Sequence, residues 1–421
     1  MARSDLTDAH LAELHRRAAE LEVPRFRQLP RVELIDAIEQ RREGGRPPPD
    51  AAERTEPAGP GEREPSEPES RERAEEAPTE QVDGVLDRMP QGYGFLRLSG
   101  LGAGEGDVYV SASQIRRCEL RPGDQVSGPA REPRRGEHHR ALVRVESVNG
   151  QDPEGERVQF EDLTPVAPHR RLPLGESSDA LARAVDLLTP LALGQRVLIL
   201  AQPRSGRTTL LRSLARALGA SGAAVRVLLA DERPEEVTEW ERSAPDAEIV
   251  AAPADQEPIE QVRAADLAIG HAKRRAEAGE DVVVIVDSLS RLALGYRDPG
   301  RVKRLFGAGR ELAEEGSGSL TVIATVLDSD ELGDGVRAAL ETTENVLLRL
   351  DAGLAEAGIV PSLLLSDCRV SGERELRSPE ELEAVRSLRA ELAELEPAEA
   401  ARALGERVEG SKTNAELLGL S

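Results

Sequence analysis

The apolar positions of this chain change period along its length, and the changes divide it. Over residues 7–42 they recur at helical spacing, first as Leu11, Leu14, Ala18 and Leu21, then as Val32, Leu34, Ile35 and Ile38. That pattern predicts two short amphipathic helices and a small helical domain over residues 1–42. Residues 43–81 hold eight prolines and no aliphatic or aromatic side chain larger than Ala, so they cannot bury a core. A disordered acidic linker is expected there. Residues 82–149 switch to short runs between Gly-rich turns, at 84–87, 92–98, 108–110, 125–127 and 142–148. Five strands of that length suit a small barrel, assigned to residues 82–150. From 165 to 421 apolar strands alternate with helical stretches, which predicts an α/β domain with a parallel sheet between helices.

Length and charge refine this division. At 421 residues the chain exceeds a single core, and two or three domains are expected. The net charge of -23 is uneven: residues 43–80 carry 12 acidic against 5 basic side chains, whereas residues 81–150 come out near +1. The acidity therefore does not exclude a nucleic-acid partner for the barrel. Cys118 and Cys368 are far apart in sequence, so neither a disulfide framework nor a zinc site is indicated. The absence of a leader or long apolar run predicts a cytoplasmic protein with no membrane partner.

The sheet region carries a phosphate-site pattern. Residues 197–209, VLILAQPRSGRTT, read as a buried strand running into a loop and a helix whose Leu210, Leu211, Leu214 and Leu218 share a face. Such a P-loop cradles phosphates on backbone N–H groups and a helix N-terminus, with a Lys reaching the terminal phosphates. Gly206, Thr208 and Thr209 fit that plan; Arg207 stands where the Lys belongs, and Ala201 replaces the usual first glycine. Alone, this string is as well read as a plain strand, turn and helix. Two further strand ends shift the balance. The run 225–229 leads into Asp231 and Glu232, and the run 282–286 ends on Asp287. Asp287 matches a Walker B carboxylate that holds Mg2+ together with Thr208, and Glu232 is placed to orient or deprotonate an attacking water. The competing reading has Asp231, Glu232, Pro234 and Glu235 merely capping a helix. Three strand-end features in this order favour a site for ATP and Mg2+.

The barrel carries a second pattern. Aromatic residues make up only 2% of the chain, yet Tyr93, Phe95 and Tyr109 all fall here. Tyr93 and Phe95 are two apart and share a strand face with Arg97. Two rings and a guanidinium can stack bases and hold phosphate, as single-strand binders do. The alternative is that Phe95 or Tyr109 fills the barrel core.

From about residue 81 onward the chain resembles the Rho family of bacterial transcription termination factors, ring-shaped RNA-dependent ATPases. The resemblance rests on GYGFLRL at 92–98, DVYVSASQIRR at 107–117, LRPGDQVSG at 120–128, DERPEEVTE at 231–239, VDSLSRLA at 286–293 and SKTN at 411–414. It implies a RecA-like P-loop ATPase domain over 165–421, preceded by an OB-type RNA-binding barrel and a small helical domain. It implies a nucleotide site of Ala192, Leu193, Gly194, Gln195, Arg196, Val197, Arg204, Ser205, Gly206, Arg207, Thr208, Thr209 and Arg233. Glu232, Asp287 and Arg374 are the catalytic residues it implies, Arg374 acting on a neighbouring subunit's nucleotide. For RNA it implies Tyr93, Phe95, Arg97 and Tyr109, with Glu137 and His139, the latter where the family has an aromatic ring. Single-stranded RNA, a homo-hexameric ring and RNA polymerase are the implied partners.

Three departures run against that activity. Arg207 is larger and planar where a compact ammonium fits, in a chain with three lysines against 52 arginines. Between Tyr296 and the run KRLFGAGR stands only RDPGRV, so the family's long pore loop is missing. The second pore loop is DSDELGDG at 328–335, with four acidic groups and no basic one, and should repel a phosphate backbone. Two functions follow: an ATP-driven RNA translocase that ends transcription, or a diverged paralogue that binds RNA or modulates a ring with a decayed ATPase. A recombinase or rotary ATPase subunit is argued against by the barrel and by DERPEEVTE.

Overall fold

A computed structural model describes residues 21, 79–252, 257–328 and 331–420. The two expected amino-terminal helices and most of the acidic segment lie outside them.

The barrel is built from β1 (Thr79–Arg88), β2 (Gly94–Arg97), β3 (Val108–Val110), β4 (Gln125–Arg131), β5 (Arg140–Leu142) and β6 (Ser147–Val148), with helix α1 (Ala112–Arg117) after β3. The strands follow the order β1-β2-β3-β5-β4, β4 pairs back on β1 to close five of them, and β6 lies along β4. β1 begins at Thr79, so residues 79–81 pair with β4 instead of continuing the linker to Gln81. Leu86, Leu96, Val108, Val110 and Val126 alternate into the interior and are fully buried. The SQIRR block is a helix because Ser111 and Gln114 cap it reciprocally, and Gln114 Nε2 then donates to the Leu142 carbonyl at 2.9 Å.

The second layer structure runs β7 (Pro165–Val166), α2 (Ala180–Leu188), β8 (Arg196–Ala201), α3 (Arg207–Ala220), β9 (Ala224–Ala230), α4 (Pro234–Ser243), β10 (Ala247–Ala252), α5 (Pro258–Glu277) and β11 (Asp281–Asp287). It continues through α6 (Leu289–Tyr296), α7 (Pro299–Phe306), β12 (Arg310–Leu312), β13 (Ser319–Leu327), α8 (Glu331–Leu340), β14 (Val346–Leu350) and edge strand β15 (Arg369–Val370) to helices including Pro379–Ala393 and Pro397–Glu409. The sheet order is β10-β9-β11-β13-β8-β14-β15, parallel except for β15. β13 therefore separates β8 from β11, and the carboxyl ends of β8, β9, β11 and β13 open on one side. The apolar runs Val282–Val286 and 320–326 are buried on both faces, as a covered parallel sheet requires.

The barrel seats on α5. Gly123, at φ 86°, lies so close to the helix that a Cβ there would come within 2.3 Å of the His271 nitrogen. His271 Nδ1 donates to the Gly123 carbonyl at 2.8 Å, and Arg121 pairs with Glu277 at 3.0 Å. Arg263 of α5 reaches Asp87 of β1 at 3.0 Å. His271 is buried, and burial, aided by the Arg226 and Arg275 charges, lowers its pKa to about 4.

Candidate nucleotide and RNA sites

The phosphate loop follows from β8. Ala201 ends the strand, residues 202–205 turn, and Gly206 at φ 82° caps α3 in the left-handed region that glycine adopts freely. The first-turn N–H groups of α3 have no intrahelical acceptor and face the loop. Ser205 is fully buried with its hydroxyl unpartnered, while its carbonyl accepts from Ser362 Oγ at 2.7 Å. Thr208 is half-buried, Thr209 exposed, and Arg204 sits at φ 60° on the exposed rim.

Arg207 does not point away. Its Nη2 donates to Glu232 Oε1 at 3.0 Å, and its Nε lies 3.1 Å from Asp287 Oδ1. Asp287 is 1% exposed, and the same Oδ1 accepts from Thr325 Oγ1 at 2.9 Å. Burial raises the Asp287 pKa, opposed by the Arg207 charge. Burial also raises Glu232 to about 7, with the Asp287 charge adding to it and Arg207 opposing. A carboxyl that titrates near neutrality beside a phosphate loop suits general-base work. Glu232 is not a cap: Arg233 occupies the N-cap of α4, Pro234 its first position, and Glu235 and Glu236 its first turn. Arg233 is exposed at that point, beside the site.

Other expected nucleotide residues lie elsewhere. Ala192, Leu193, Gly194, Gln195 and Arg196 stand at the amino end of β8, about 17 Å along the strand from its phosphate end. Gln195 Oε1 accepts from the Ala192 backbone, Gly194 packs on Glu311, and Arg196 donates to the Thr343 and Gly309 carbonyls. Val197, second in the strand, is fully buried. These six shape the far end of the sheet and do not reach the loop. Arg374 follows β15 in a short helical turn (Glu373–Leu376), exposed and with no ion pair among the described residues.

In the barrel, Tyr93 precedes β2, Phe95 lies within it and Tyr109 is on β3 opposite, so the three rings cluster on one open face. Tyr93 and Tyr109 centroids are 5.6 Å apart, Phe95 meets Tyr93 edge-on at 5.8 Å, and His139 meets Phe95 at 4.9 Å. Tyr109 is 36% exposed and His139 is exposed, so these rings do not fill the core. A cleft of about 840 Å³ adjoins them, bordered by Tyr109, Gln114, Arg117, Glu137 and His139. Arg97 is the correction: it is 8% exposed, clasped by Asp87 and Asp107, with its guanidinium 5.7 Å from the Phe95 ring centroid. It supports the ring from beneath and is not free to hold phosphate. Glu137 is held by Arg131 through two bonds of 2.6 and 2.8 Å, which sets its carboxyl at about 2.

The two segments expected to be pore loops differ from their expected chemistry in one respect. α6 and α7 are joined only by Arg297 and Asp298, in keeping with the missing loop. The acidic segment is partly neutralised: Asp328 pairs with Arg349 at 2.9 Å and Arg337 with Asp334 at 3.2 Å. Sequence reasoning missed Thr325, Ser362, Asp87, Asp107 and Arg263. Thr325 left a trace, as one of two threonines inside the apolar run of β13; the others left none.

Comparison with known proteins fits this geometry. Residues 82–154 match the Rho termination factor RNA-binding domain, and residues 182–304 the nucleotide-binding domain of the ATP synthase alpha/beta family. The chain is 39% identical over 366 residues to transcription termination factor Rho of Aquifex aeolicus, covering 80% of this chain and 84% of that protein. It is 41% identical over 327 residues to Rho of Bacillus subtilis, covering 71% and 75%. A solved ATPase from the type III secretion system of pathogenic bacteria shares the fold, with a TM-score of 0.50, 20% identity, and coverage of 62% of this chain and 87% of that one. An RNA-binding barrel with an open ring face, joined to a RecA-like nucleotide-binding domain and matched across four fifths of the chain, places this protein in the transcription termination factor Rho family.

Proposed function

We propose that this chain binds single-stranded RNA on the Tyr93, Phe95, Tyr109 and His139 face and ATP at the Gly206 loop, and acts on transcription as a cytoplasmic ring. The observation that carries this reading is the ring cluster: four partly open rings beside a cleft of about 840 Å³, on a barrel joined to a phosphate loop. Homo-hexamer formation is supported by Arg374, exposed and without an ion pair among the described residues, where it could meet a nucleotide presented by a neighbouring subunit. RNA polymerase is the partner that a termination role requires. Titration of the full chain with labelled single-stranded and duplex RNA tests the reading. Preference for the single strand is expected; equal affinity for both would reduce the face to a general polyanion contact.

A second reading, of a decayed motor, rests on Arg207. With this guanidinium held between Asp287 and Glu232, the charge that would meet the terminal phosphates is committed to two carboxylates, and Thr208 and Asp287 are the residues that would hold Mg2+. RNA would then be gripped at the barrel but moved poorly, since α6 and α7 leave no long loop for the pore. Steady-state ATPase assays with and without RNA separate the two: brisk RNA-dependent turnover supports the translocase and sinks the decayed motor.

A further inference from the structure

The fold family implies Mg2+ beside the phosphates, and the hard-oxygen donors for it here are the Thr208 hydroxyl and the Asp287 carboxylate. The Thr208 hydroxyl is unpaired among the described residues. Asp287 is already engaged at one oxygen: Arg207 Nε at 3.1 Å and Thr325 Oγ1 at 2.9 Å share its Oδ1, and the other end of the guanidinium holds Glu232 at 3.0 Å. A guanidinium stays charged at any accessible pH, and its five N–H donors allow it to bridge two carboxylates at once. A divalent ion seated on Asp287 would lie beside that cation, and like charges so close repel. The residues present therefore do not fit Mg2+ while Arg207 holds its place.

We infer that Arg207 is the resident counter-ion of Asp287 and Glu232, and that this chain takes up ATP without Mg2+. The phosphates then meet the loop N–H groups, the buried Ser205 hydroxyl that has no partner, and the N–H groups of Arg207 not used by the two carboxylates. The cation that other P-loop sites borrow from solution is here a side chain. This inference rests on ATP binding at the Gly206 loop.

Equilibrium titration of the full chain with a fluorescent, non-hydrolysable ATP analogue tests it, in excess Mg2+ and in excess chelator. The wild type is expected to change affinity by less than about twofold between the two conditions. Arg207→Lys is expected to lose about tenfold or more on chelation, because a compact ammonium moves to the phosphates and frees Asp287 for the ion. A tenfold loss in the wild type would overturn the inference. Paramagnetic resonance of Mn2+ with the same analogue gives a reading on the wild type alone: a spectrum equal to that of the free Mn2+–nucleotide complex supports the inference, and a protein-broadened one overturns it. If neither protein binds the analogue in either condition, the ATP-binding reading itself fails and takes the inference with it.

Discussion

The two ligand regions share a local device and use it differently. In the barrel, Arg97 is clasped by Asp87 and Asp107; in the nucleotide site, Arg207 is clasped by Glu232 and Asp287. Arg97 is 8% exposed and lies beneath Phe95, so its charge is spent on holding the ring face in shape while the rings stay open above it. Arg207 keeps a side-chain exposure of 20% and stands at the loop proposed to take the phosphates. A doubly paired arginine is thus scaffolding under a binding face and an occupant inside a cleft. Position relative to the ligand decides which, not the strength of the pairs.

The sharpest test of that contrast is to remove each arginine's charge. Arg97→Met leaves two buried carboxylates short of a cation and is expected to cost about 3–5 kcal/mol of barrel stability, whereas Arg207→Met should change stability far less. Denaturant unfolding followed by circular dichroism measures both, and equal losses would erase the distinction. Arg207→Lys is next: a point charge restored to the phosphates should lower the barrier by about 3–4 kcal/mol and raise steady-state ATP turnover by roughly two to three orders of magnitude. Unchanged turnover would mean that Arg207 is not what limits the site.

Acid should loosen the junction between the regions. His271 has a folded pKa lowered to about 4 from an unfolded 6.5, so its contribution is present above pH 6.5 and is lost as pH falls toward 4. The loss amounts to about 3 kcal/mol, and protonation must occur facing Arg226 and Arg275, opposed by Glu248 and the Gly123 carbonyl. Thermal unfolding across that range should show His271→Gln with a flatter pH dependence than wild type; parallel curves would refute it. The smallest effect concerns the rings: Phe95→Ala should weaken single-stranded RNA binding by about 1–3 kcal/mol, read by fluorescence anisotropy, with no loss of affinity for ATP.

Much of this architecture was legible because period and turn chemistry are local. The switch from helical spacing to short runs marked the barrel, and three apolar runs with polar ends marked the phosphate side of the sheet. The ring cluster was legible for the same reason, since a two-residue spacing in extended chain puts 93 and 95 together. Alternation also put Arg97 on that face, but it cannot show that Asp107, ten residues on, folds over the guanidinium and closes it off. The partners of Arg207 lie 25 and 80 positions away, so the replacement of Lys was visible and its consequence was not. Residues 192–197 failed because a strand has two ends, and only its carboxyl end meets the phosphate loop.

The contact of Gly123 with His271, and the sharing of Asp87 between Arg97 and Arg263, bear on how such a chain can be recombined. A barrel exchanged for that of a relative would bring its own residues to positions 87, 121 and 123 while α5 kept its Arg263, Gly270 and His271. A side chain at 123 would strike the helix backbone, and an uncharged residue at 87 would take one carboxylate partner from two guanidinium groups at once. Grafts that carry residues 258–277 along with the barrel should fold, and those cut between residues 154 and 182 should not, so the heritable unit of this protein crosses the boundary between its two domains.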